Sequence, residues 1–187
     1  ERVITMPYSY YYWGFDPTYI LVLIGAVICL VASARVKSTY NKYASYRSMS
    51  GMTGAQAAER ILHSAGIYDV SVQHVSGNLT DHYNPVNKTI NLSRDVYYGN
   101  SIAAAAVAAH ETGHALQHAK GYSMLKLRST LVPAVEFASH WVQWILLAGI
   151  LMVNSFPGLL LVGIGLFAIM TLFSFVTLPV EIDASHR

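Results

Sequence analysis

The sequence is short of charge and nearly without cysteine. Of its 187 residues only 12% are charged, about half the usual quarter. A formal net charge of +2 offers no bulk field to a polyanion, which argues against nucleic acid as a partner. The one cysteine, Cys29, excludes a disulfide framework within the chain and a cysteine-based zinc site. Any metal here must be held by histidines and carboxylates. What fills the space is apolar: hydrophobic residues make up 53% of the chain.

Much of that apolar content lies in runs. Tyr19 to Ala34 carries no charge. It is slightly short for a span, and Phe15 to Thr18 extend it to the ~20 residues a bilayer needs. A cleaved signal peptide would place basic residues before the run. Here Arg35, Lys37, Lys42 and Arg47 follow it. By the positive-inside rule residues 1–18 are then extracytoplasmic, 19–34 is the first transmembrane helix, and the chain after 35 is cytoplasmic. The tract from Tyr8 to Phe15 is rich in aromatics that favour the membrane interface. Met6 reads as a natural start, preceded by five appended residues. Residues 131–153 and 159–180 are the second and third spans, joined by a turn at Asn154-Ser-Phe-Pro-Gly158.

Between the first two spans the period changes twice. Thr53 to Gly66 reads as a capped helix, with Thr53 as N-cap and Gly66 closing its end. Alternation then marks strands at Val70 to Val75, Leu79 to Tyr83 and Thr89 to Leu92. Asn84-Pro-Val-Asn-Lys88 joins the last two as a turn, so a small antiparallel sheet is expected.

Next comes Ser101-Ile-Ala-Ala-Ala-Ala-Val-Ala-Ala, a strong helix former that Asn100 or Ser101 can cap. It leads into His110-Glu-Thr-Gly-His114. Residues four apart share a helix face, so both imidazoles can hold one metal ion. Glu111 can reach a water at that metal. This is the zinc metalloprotease pattern, and a helix of small residues packed on all sides needs something to satisfy two histidines and a carboxylate. His118 lies a further turn on, at the wrong spacing for a third ligand. His63 lacks a partner four residues away. Lys120-Gly121 and Leu125-Lys-Leu-Arg128 read as a polar break. Glu136 and His140 on the second span are four apart, able to pair with each other or to support the site.

A catalytic zinc takes three protein ligands and keeps one position open. Two crossings after His114 return the chain to the same side at Val180-Glu-Ile-Asp-Ala-Ser-His-Arg187. Glu181 and Asp183 both compete for the third place. About 200° apart on a helix, only one of them can face the metal.

The hairpin Asn84 to Lys88, Ala-Ala-His110-Glu-Thr-Gly-His114-Ala-Leu-Gln117 and Leu-Pro-Val-Glu181-Ile-Asp-Ala-Ser resemble the YugP-type bacterial membrane zinc metallopeptidases, from Met6 onward. The chain is more distantly similar to the prenyl-protein (CAAX) endopeptidases and the heat-shock membrane proteases. In those relatives a Glu-x-x-Ala-Asp helix supplies a zinc ligand. The resemblance therefore implies a gluzincin: His110, His114 and Glu181 hold one Zn2+, with Glu111 as general base. Ser185 stands where those relatives have Asp, and can still bond a ligand histidine. The implied activity is endopeptidase cleavage of a peptide or membrane-protein substrate. Glu111 takes a proton from a zinc-acidified water and returns it to the leaving amine. The oxyanion calls for a second donor, for which His186, Tyr83, Tyr97 and Tyr98 are candidates. The expected fold is an α+β membrane protein. About three transmembrane helices accompany a small zincin-like cytoplasmic domain over residues 35–130, with 181–187 supplying the third ligand. The expected setting is a bacterial cell membrane, crossed several times, with the bilayer and protein partners in the membrane. The resemblance also implies further chain beyond residue 187. The alternative is a zinc-binding membrane scaffold without proteolysis. An intact Glu111 argues against it.

Overall fold

A computed structural model of the chain describes residues 18–77 and 80–187. The aromatic tract and Met6 lie outside the described residues, as does the expected strand start at Leu79. The structure divides into two units, residues 1–45 and 46–187.

The first unit is described by one helix, α1 (Thr18–Ala44). At 27 residues it is about 40 Å long, more than the ~30 Å hydrocarbon layer requires. Its surplus carries Arg35, Lys37 and Lys42, so the cations stand on a continuous helix rather than in a loop.

The second unit holds the sheet and the remaining helices. α2 (Gly54–Ser64) opens with a reciprocal cap. The Gln56 N–H donates to Thr53 Oγ1, while the Thr53 N–H donates to Gln56 Oε1. It closes at Gly66, whose φ of +74° suits glycine. The strands are β1 (Ser71–Val75), β2 (His82–Asn84) and β3 (Thr89–Ser93). Their order is β1-β3-β2, and here the expectation of an antiparallel sheet fails. β1 pairs parallel with β3, and only β2 runs antiparallel to it. Alternation in the sequence reports which face a residue takes but not which neighbour it meets. The Asn84 turn does make a hairpin: its Oδ1 accepts from the Val86 and Asn87 N–H groups. With a neighbour on each edge, β3 is buried at all five residues.

A short helix, α3 (Arg94–Tyr97), leads to α4 (Ile102–Ala119), whose first turn is capped by the Ser101 hydroxyl. The alanines do what their size permits. Ala104, Ala108 and Ala115 sit in the core with Ala58 and Leu62 of α2, Ile90 and Leu92 of β3, and Val96 of α3. α4 ends at Gly121, with φ +64°, where the Tyr122 N–H reaches back to the Gln117 carbonyl.

The chain then forms a helical hairpin, α5 (Ser123–Leu151) and α6 (Pro157–His186). The expected break at Leu125–Arg128 is absent. No glycine or proline interrupts that stretch, so after Gly121 nothing stops a helix from starting at Ser123. α6 likewise runs through Pro179 to His186, instead of ending where the apolar run ends. Gly149 lies against the Leu160 backbone, so the two helices approach closely. Among the described residues three helices are long and apolar enough to cross a membrane: α1, α5 and α6.

Candidate active site

The site forms where α4 meets the end of α6. Their approach is set by Gly113: a Cβ there would lie 2.2 Å from the Ala184 carbonyl oxygen, a distance no side chain tolerates. Glycine on one helix and a buried alanine on the other thus bring Glu181, one turn before Ala184, over the face that carries His110 and His114.

Three ligand atoms converge there. Glu181 Oε2 is 3.1 Å from His110 Nε2 and 3.3 Å from His114 Nε2. The three atoms lie within 4.8 Å of one another. Ligands on a tetrahedral zinc at ~2.0–2.2 Å sit about 3.4 Å apart, close to the two distances seen.

The hydrogen bonds around the histidines decide what can lie between these atoms. Gln117 Nε2 donates to the Val180 carbonyl and to Asp183 Oδ2, each at 2.8 Å. Both partners only accept, so the amide has one orientation. Its Oε1 therefore accepts from His114 Nδ1, at 3.0 Å. Ser185 Oγ donates to the Glu181 carbonyl at 3.0 Å, which leaves it to accept from His110 Nδ1, also at 3.0 Å. Each imidazole thus carries its hydrogen on Nδ1. In its neutral form each turns the lone pair of Nε2 toward the carboxylate. Three acceptors facing one another call for a cation, and one metal ion satisfies all three. The donor set, two imidazoles and a carboxylate, fits zinc.

Glu111 stands beside them. Its Oε2 accepts the Tyr83 N–H at 3.0 Å, across from the edge strand β2. The carboxyl is buried, and burial raises its pKa; His114, His110 and that N–H pull in the other direction. A raised pKa suits a group that must take and return a proton near neutrality.

A cleft of about 680 Å³ opens on these residues. Asp81 to Val86 form one wall, and Leu125, Arg128, Ser129, Val132 and Glu136 of α5 form another.

The other expected residues fall in different places. The Tyr83 hydroxyl bonds His118 Nδ1 at 2.7 Å, and burial raises its pKa. Tyr97 and Tyr98 stack edge-on with each other at 4.8 Å between centroids, against His74. Neither they nor His186 line the cleft. His63 stacks on Tyr68. The ring of His140 bonds the Glu136 carbonyl rather than its side chain. Glu136 itself lines the cleft. Asp183 holds Gln117 and Arg187.

Two residues of the site were not expected. Gln117 lies three residues after His114, a spacing at which a side chain can reach its neighbour on the same face. That spacing was the available signal. Arg128 had none, because α5 lies across the site only in three dimensions.

Residues 18–187 match the family described as "Putative neutral zinc metallopeptidase". The chain belongs to this family. It is also 47% identical over 158 residues to a Bacillus subtilis (strain 168) protein named "Putative membrane protease YugP", an alignment covering 83% of this chain and 68% of that one. No solved structure matches the chain. Membership in this zinc peptidase family agrees with the metal-ready donor set, and the membrane in the relative's name agrees with the three long apolar helices.

Proposed function

We propose that the chain is a membrane-bound zinc endopeptidase. In this reading His110, His114 and Glu181 hold one zinc ion, and Glu111 is the general base. The observation that carries the proposal is the convergence of two Nε2 lone pairs and a carboxylate beside a buried Glu111, at the floor of an open cleft. Bound there, zinc would polarise a peptide carbonyl and acidify a water molecule near neutral pH.

The chain's own residues do the remainder. Glu111, held by the Tyr83 N–H, takes a proton from the attacking water and returns it to the leaving amine. An extended peptide fits between the outer edge of β2 and the α5 wall. A scaffold would need the metal site but no base. Replacing Glu111 therefore separates the two readings. Glu111→Gln is expected to purify with full zinc and lose cleavage of a casein-type substrate by at least about 10²-fold. Cleavage at the wild-type rate would sink the mechanism.

We also propose that the site faces the cytoplasm, because the basic residues of α1 follow its apolar run. In a Cys29→Ser background, Ser9→Cys and Ser155→Cys should react with an impermeant thiol reagent in whole cells. Ser76→Cys should not. The opposite labelling pattern would reverse the orientation.

A further inference from the structure

The unexpected residue of the cleft is Arg128. It stands on α5, its Nη2 3.7 Å from Glu181 Oε1. The two form an ion pair at a distance too long for a hydrogen bond. Its Nε is buried, and among the described residues it meets no acceptor. A guanidinium has five N–H donors and no acceptor, and a buried donor left unmatched is costly. Here it lines the cleft together with His110, Glu111, His114 and Glu181, and its side chain is about one-third exposed, at 34%.

The geometry points to Arg128 as the second donor to the scissile carbonyl oxygen. This rests on the endopeptidase reading. As the water oxygen bonds to the carbonyl carbon, the C=O π pair moves onto oxygen and the water's proton passes to Glu111. When the C–N bond breaks, that pair returns and the proton goes to the amine. Arg128 only donates, and its hydrogen bonds strengthen as negative charge grows on the oxygen. Its Nη2 approaches Glu181 Oε1, while the other oxygen of that carboxylate meets the two histidines, and all of these residues line one cleft. A peptide's terminal carboxylate is a poorer match. Asp81, Glu111, Glu136 and Glu181 line the same cleft and would repel it.

The test uses the full chain, loaded with zinc in a bilayer mimic. It compares wild type with Arg128→Gln and Arg128→Lys. kcat should fall about 10²–10³-fold in Arg128→Gln, with part of the loss recovered in Arg128→Lys and KM little changed. Zinc content should equal wild type. Affinity for a phosphinic peptide, which mimics the tetrahedral state, should fall by the same factor as kcat/KM. If zinc is lost in step with activity, Arg128 holds Glu181 and the assignment is wrong. If the loss appears with free-acid peptides and vanishes with amidated ones, Arg128 reads a terminal carboxylate instead. If wild type cleaves and Arg128→Gln cleaves equally well, this inference alone falls. If zinc-loaded wild type neither cleaves peptides nor binds the phosphinic peptide, the endopeptidase reading falls and takes this one with it.

Discussion

The two histidines of the site are held in different ways. His114 is nearly buried, with 8% of its side chain exposed, while His110 shows 29%. Behind His114 lies a chain of side chains: the fully buried Gln117, then Asp183, then Arg187, whose Nε donates to Asp183 at 2.6 Å. Behind His110 lies one exposed hydroxyl, Ser185, on the last turn of α6. Each arrangement fixes a tautomer. The amide, however, is buried and locked by two acceptors, whereas the hydroxyl has one acceptor and stands exposed to water. The contrast is between one rigid imidazole and one adjustable imidazole around a shared carboxylate.

The largest effect should come from removing what the two histidines share. Glu181→Ala takes away one of three ligand atoms and is expected to purify with little zinc. Asp183→Ala leaves all three in place and should retain nearly full zinc at saturating metal. Metal analysis of the two purified variants checks this. The opposite result would make Asp183 the ligand and undo the tautomer argument above.

A smaller effect separates the histidines. Gln117→Leu removes the acceptor that orients His114 and should lower zinc affinity by about 10–100-fold. It also leaves Asp183 and the Val180 carbonyl without their amide donor, so a folding defect must be told apart from a metal defect. Gln117→Glu restores an acceptor for Nδ1 and should recover more zinc affinity than Gln117→Leu, read by chelator competition. Equal affinities in the two variants would show that Gln117 acts by packing alone.

The parts of this site that lie along one helix were legible before any fold was known. His110, Glu111 and His114 follow from the period of an α-helix, and the hairpin of α5 and α6 brings Glu181 beside the two histidines. The close approach at Ala184 could also be read from its size, although its partner, Gly113, emerged only with the packing. What stayed hidden depends on pairing between distant elements. β1 lies parallel to β3 because the chain passes beyond β3 before returning, and residue alternation is blind to that. Arg128 looked like part of a polar interruption. In the fold it is part of a wall of the cleft, because α5 starts at Ser123 and brings its polar residues to the cleft that His110 and His114 also line. Tyr83 was picked for its hydroxyl, yet its backbone N–H meets Glu111.

The smallest effect belongs to Ser185, and it tests the adjustable side of the comparison. Ser185→Ala removes the acceptor at His110 Nδ1. Because that residue is exposed, water can replace the hydroxyl, so the loss in zinc affinity should be about tenfold or less. Gln117 is fully buried, and no water takes its place as readily. Ser185→Asp should act in the opposite direction. A carboxylate accepts from Nδ1 with charge assistance and makes the ring a stronger ligand. Zinc affinity by chelator competition should therefore rank Ser185→Asp above wild type and wild type above Ser185→Ala, with Gln117→Leu below all three. If Ser185→Ala proves as damaging as Gln117→Leu, exposure does not set the difference, and the two histidines are held equally firmly.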